Sequence, residues 1–141
     1  MGTTNPETAE STKHASRVTV LIVEDERPIA EAIALVVEEA GFTQLVAAHG
    51  REGLTLARAH RPALIITDMM MPQLDGAELI AALRADAERD HQSMPPVILM
   101  TAGGLDRARM AGADAVLRKP FDIAELEALL RRFLESGDSR R

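Results

Sequence analysis

Short apolar runs alternate with amphipathic stretches along most of the 141-residue chain. Val18–Val23, Ala63–Thr67, Val97–Met100 and Ala115–Leu117 are each too short for a helix and read as buried strands. A fifth, weaker strand is predicted near Leu45–Ala48. The stretches between them carry helical periodicity. Ile29, Ile33, Val36, Val37 and Ala40 form one face of a first helix, with Pro28 in its first turn and Gly41 as its stop. Leu54, Leu56, Ala57 and Ala59 mark a second helix over Arg51–His60, ended by Pro62. Leu79, Ile80 and Leu83 mark a third over Gly76–Glu88. A fourth, short helix is expected near Leu105–Ala111, closed by Gly112. In the fifth, Asp122 and Glu125 form a capping-box pattern, and Ile123, Leu126, Leu129, Leu130 and Phe133 make one stripe.

Strands alternating with helices predict an α/β fold: a (βα)5 doubly wound, five-stranded parallel sheet, order 2-1-3-4-5. The aromatic fraction is only 2% against 46% hydrophobic, so the core must be aliphatic. Met1 to Ser16 is polar and reads as a disordered N-terminal tail (1–16). The folded domain is expected over 17–135, with a C-terminal tail at 136–141.

Each predicted strand but the second runs into a polar residue. Val23 is followed by Glu24-Asp25, Thr67 by Asp68, Met100 by Thr101, and Leu117, after Arg118, by Lys119-Pro120. Ligands of open parallel sheets bind beyond the carboxyl ends of the strands. The topology therefore gathers three acids, a hydroxyl and an amine at one edge. Adjacent acids at a strand end repel each other, and a divalent cation relieves the repulsion. Asp25 is expected as its direct ligand and Glu24 through water, with Asp68 and the Met70 backbone carbonyl completing the oxygen set. Magnesium, or manganese, suits such donors. Asp68 is placed to attack a phosphoryl group. Thr101 offers a hydroxyl and Lys119 a positive charge to phosphoryl oxygens. Taken singly each residue has an ordinary reading: an acidic turn, a helix cap, a backbone-bonded threonine, a surface lysine. Their shared position at strand ends is what separates them from those readings. Lys119-Pro120 is a candidate cis peptide.

The segment from about Arg17 to Leu134 resembles the receiver domain of two-component response regulators, with its flavodoxin-like fold. Leu21-Ile22-Val23-Glu24-Asp25-Glu26 is similar to the family's acidic first-strand motif. Asp68-Met69-Met70-Met71-Pro72 with Asp75-Gly76 is similar to its phosphoacceptor loop, Thr101-Ala102 to its switch hydroxyl, and Lys119-Pro120-Phe121 to its ending. The resemblance implies a phosphorylation-activated switch rather than an enzyme. A histidine kinase or phosphotransfer protein would donate a phosphoryl group to Asp68 with Mg2+, and the domain would catalyse only its own phosphorylation and dephosphorylation. Two departures stand out. The position of the family's switch aromatic holds Val116. The interval from Thr101 to Lys119 is shorter by about one helical turn, roughly 3.6 residues, so the fourth helix should be short or its loop distorted. Met70 and Gly103 flank the site and are expected to tune phosphoryl lifetime.

Charge and composition narrow the partners. A formal net charge of −6 disfavours non-specific contact with nucleic acid or anionic membrane. There is no Cys for thiol chemistry or Cys-ligated zinc. No segment reads as a DNA-binding module, a membrane span or a secretory signal. The expectation is a cytoplasmic protein, monomer or weak dimer, acting on an effector protein in trans without direct DNA binding. A phosphorylation-independent binding adaptor is the alternative. An aspartate-nucleophile phosphatase would want a second acid two residues after Asp68, where Met70 stands.

Overall fold

The computed structural model describes residues 18–135; the two predicted tails, and Arg17, lie outside them. Five strands form one parallel sheet: β1 (Thr19–Val23), β2 (Thr43–Ala47), β3 (Leu64–Asp68), β4 (Val97–Thr101) and β5 (Ala115–Arg118). Their order is β2-β1-β3-β4-β5, as expected. Between them run α1 (Arg27–Glu39), α2 (Gly50–His60), α3 (Gly76–Asp90) and α4 (Leu105–Met110); α5 (Ile123–Leu130) follows β5.

Burial explains which strands were easy to read. Every residue of β3 and β4 is buried, because helices cover both faces of a parallel sheet. Alternate side chains divide the core in two. Val20, Ile22, Leu64, Ile66, Ile98 and Met100 pack under α1 and α5. Leu21, Val23, Ile65, Val97 and Leu99 pack under α2, α3 and α4. At the edge, β2 begins two residues earlier than predicted. Thr43 and Gln44 pair with Thr19 and Val20, and their polar side chains hid a strand whose ladder is paired on one side only.

Helix ends follow local chemistry. Asp75 Oδ1 accepts from Glu78 N, and Glu78 Oε1 from Asp75 N, both at 2.8 Å, a reciprocal N-terminal cap for α3. Gly41, with φ +97°, takes the left-handed turn after α1. Two core assignments change. Ile123 is 56% exposed rather than packed, because it stands at the first position of α5, before the helix settles on the sheet. Leu134 joins Leu126 and Leu130 in the fully buried row, and Phe133 packs part-buried against it. Residues Arg131–Glu135 form a π-helical turn, whose wider winding moves the next buried position along by one residue.

Candidate functional site

The carboxyl edge of β1, β3 and β4 carries the charged cluster. Strand β1 delivers Glu24, whose amide continues the ladder to the Ala47 carbonyl at 3.0 Å. Strand β3 ends in Asp68, in register with Met100 of β4. The ladder continues one step further, with Met69 N donating to Met100 O at 2.8 Å. Thr101 is paired with Arg118. Its carbonyl accepts from Lys119 N at 2.8 Å, which fixes the start of the last loop. The Lys119–Pro120 peptide is cis.

Glu24, Asp25 and Asp68 each present a carboxylate oxygen, and these atoms lie within 4.8 Å of one another. Both neighbouring acids of β1 therefore face the cluster, where only Asp25 was expected to do so directly. Glu24 is buried and Asp25 exposed. Lys119 Nζ donates to Glu24 Oε1 at 2.9 Å and stands 3.3 Å from Asp68 Oδ2. Glu24 Oε2 accepts from the amide of Glu26 at 3.1 Å.

One ammonium thus faces three carboxylates. Burial raises the Glu24 pKa above its ordinary 4.5, despite the opposing hydrogen bond from Lys119. Burial also raises Asp68 above 3.8, despite Lys119. For Lys119, burial acts to lower the pKa, but its hydrogen bond to Glu24 and the charge of Asp68 outweigh that effect and the net shift is upward. The donor set is all oxygen, anionic and only part-neutralised, which fits a hard divalent cation.

The loop after β3 is held tightly. Leu74 N donates to Pro72 O at 2.8 Å around Gln73, whose φ of 73° closes a three-residue turn. Gly76 N donates to Met69 O at 2.9 Å, and a Cβ on Gly76 would collide with Asp68 O and Leu99. A Cβ on Gly50 would overlap the Leu74 carbonyl. The supporting role of Gly50 went unread in the sequence; its one signal was a glycine at a helix start where alanine is the better helix former. The side chain of Met70 is 63% exposed beside this loop. Thr101 is buried, and its Oγ1 accepts from Gly103 N at 3.0 Å. Val116 is half-buried on the α4 side of the sheet. Helix α4 has six residues, the short form that the Thr101–Lys119 interval predicted.

The opposite end of the sheet is built differently. A cleft of about 600 Å³ opens between α2 and α3, lined in part by Arg58, Arg61, Pro62, Asp86, Arg89 and Pro95. Here Arg58 grips Asp86 with two hydrogen bonds, at 2.8 and 3.1 Å. Among the described residues no helix is long and apolar enough to cross a membrane.

Residues 20–131 match the family model of the response regulator receiver domain. Response regulator Rre1 of Synechocystis sp. is 40% identical over 125 residues, covering 85% of this chain and 53% of its own length. The DNA-binding response regulator MtrA of Mycobacterium tuberculosis is 33% identical, covering 86% and 53%. The chain spans about half the length of these curated relatives. The solved receiver domain of the Francisella response regulator 1452 is 31% identical with a TM-score of 0.74, over 85% of this chain and 98% of that one.

Proposed function

Because this chain belongs to the response regulator receiver family, and is a receiver domain of the two-component kind, we propose that it is a switch driven by phosphorylation of Asp68. A carboxylate oxygen of Asp68 attacks the phosphorus of a phosphohistidine. An O–P bond forms as the N–P bond breaks, and the histidine leaves with the electron pair and takes a proton. The donor is a histidine kinase or a phosphotransfer protein. Water later attacks the phosphorus of the acyl phosphate; a new O–P bond forms as the Asp68 O–P bond breaks, releasing inorganic phosphate and the free carboxylate.

Glu24, Asp25, Asp68 and the Met70 carbonyl would hold a magnesium or manganese ion, which supplies positive charge against the transferring oxygens. The chain's own residues do the rest. Lys119 is already poised between Glu24 and Asp68, so its ammonium needs little motion to meet a phosphoryl oxygen. Thr101 keeps a hydroxyl proton to donate to another. Loop packing around Gly76 and Gly50 holds Asp68 in place.

The observation that carries this reading is the pairing of three convergent carboxylates with a single ammonium at the end of the central strand. We further propose that the folded unit is 17–135 with tails at 1–16 and 136–141, that it works in the cytoplasm as a monomer or weak dimer, and that its output is a changed contact with an effector protein rather than with DNA. The acidic balance of −6 supports the last point. The test is incubation with acetyl phosphate and magnesium, read by intact mass. The expected result is the gain of one phosphoryl group by the wild type and none by Asp68→Asn. No gain by the wild type overturns the reading and favours the adaptor alternative, for which Val116 and the short α4 leave room.

A further inference from the structure

We propose that the cleft between α2 and α3, at the amino end of the sheet, is a binding site for a small organic anion, with Arg61 as the cation that anchors it. The ligand class is a carboxylate or phosphate joined to a flat apolar body. The cleft lies at the opposite end of the sheet from the Asp68 cluster and uses none of its residues.

The floor of the cleft is apolar and rigid. Pro62, Leu83, Met94, Pro95 and Pro96 line it. Pro62 and Leu83 are buried, and Met94 packs on the core. The three prolines hold their φ angles fixed. The sheet ties down both strand starts: Ala63 N donates to Thr19 O at 2.8 Å, and Ile65 N to Pro96 O at 3.0 Å. A volume of about 600 Å³ suits a small molecule, whose sites are preformed, largely apolar and furnished with a few placed polar groups.

Charge at the rim is unequal. Three arginines, Arg58, Arg61 and Arg89, stand there with two acids, Asp86 and Asp90. Arg58 and Arg89 are taken up by the acids. Arg61 is not: among the described residues its guanidinium bonds to Gln92 Oε1, at 3.1 Å, and to no carboxylate. That neutral oxygen uses one of the group's five N–H donors. The backbone supports this placement. Arg61 and His91 cap α2 and α3, both in the left-handed region, with φ of 49° and 55°. Glycine adopts that conformation more easily, yet Arg61 stands there. The two turns bring Arg61 beside Gln92, which follows His91. A guanidinium so held offers a planar fork to a carboxylate or phosphate.

The surroundings select an organic anion over a bare one. The C-terminal ends of both helices bring partial negative charge to the rim, and the whole chain carries −6. Neither favours an ion held by charge alone. The apolar floor adds the affinity that charge does not, by taking a ring out of water.

The test is a titration of the full chain with naphthoate, followed through the backbone amide NMR signals. Naphthalenemethanol is the neutral control, and inorganic phosphate the control without a ring. Naphthoate should shift Ala63, Ser93 and Met94 saturably. Naphthalenemethanol should bind about tenfold more weakly, the scale of a hydrogen bond to a charged group, and phosphate should give no saturable shift. Arg61→Gly should bind naphthoate about tenfold more weakly while its Tm is no lower than that of the wild type, because glycine suits the left-handed turn. Should Arg61→Gly lose stability, Arg61→Gln, which keeps the length without the charge, decides by the same loss of affinity. No saturable shift at these amides, saturation centred on another surface, or wild-type affinity in the variants overturns the site. So does phosphate matching naphthoate, which would reduce the cleft to general anion attraction.

Discussion

Asp68 and Asp86 are the same residue at opposite ends of one sheet, and their environments push them in opposite directions. Burial at the carboxyl edge lifts the pKa of Asp68. At the other edge, the hydrogen bond from Arg58 lowers that of Asp86. At the lower end the two carboxylates of the cleft have cations, with Arg58 and Arg89 meeting Asp86 and Arg89 also meeting Asp90. The upper end holds three carboxylates with one ammonium. A fold that sought only stability would balance both ends alike. The imbalance at the upper end is where a cation and a phosphoryl group have something to gain.

The contrast can be broken hardest at Lys119. Lys119→Met should destabilise the metal-free domain by about 3 kcal/mol in chemical denaturation, because the side chain of Glu24 is fully buried and loses its partner. Adding Glu24→Gln should recover much of the loss, which a double-mutant cycle measures. Independent behaviour of the two sites would show that the pair is not coupled. Next in size is magnesium itself. At 100 times its dissociation constant it should stabilise the wild type by about 2.7 kcal/mol, visible as a rise in Tm. Glu24→Gln/Asp68→Asn should show a much smaller rise.

Asp68→Asn should stabilise the metal-free domain at neutral pH, because burial makes the Asp68 charge unfavourable in the folded state. The sign follows from the raised pKa. Burial disfavours the charged form of Asp68 in the folded state relative to the unfolded chain. As pH falls through the raised value the group becomes neutral and the penalty disappears, so the gap between variant and wild type should close toward pH 4. A gap that widens on acidification would reverse the assignment. At the lower end the sign is opposite: with its pKa lowered, Asp86 contributes stability above its ordinary 3.8 that is lost on further acidification. Its partner Arg58 is half exposed, so Arg58→Ala should cost under about 1 kcal/mol and less still in high salt.

How far the sequence reached depended on whether a feature was local. Strands β1, β3 and β4 announce themselves because full burial demands unbroken apolar runs. Strand β2 hid its first two residues because an edge position accepts Thr43 and Gln44. The stripe on α5 holds at Phe133, which packs part-buried on the core, but lacked Leu134, because periodicity assumes uniform winding and the π-helical turn at Arg131–Glu135 breaks it. At the site, convergence followed from topology alone. What did not follow was the burial of Glu24. Its fate depends on Lys119, 95 residues away, and no window of sequence shows that pair. The bond from Gly103 to Thr101 was equally hidden, since a glycine after a strand reads simply as loop.

Lys119 has one more consequence. The chain has just two lysines, and Lys13 lies outside the described residues. Across the folded domain, then, the cluster's ammonium is the sole primary amine of any side chain. Isotope labelling of lysine alone would place a single spectroscopic beacon in the heart of the domain. A reagent selective for amines would titrate how open that chamber is, with a silent background from the rest of the fold.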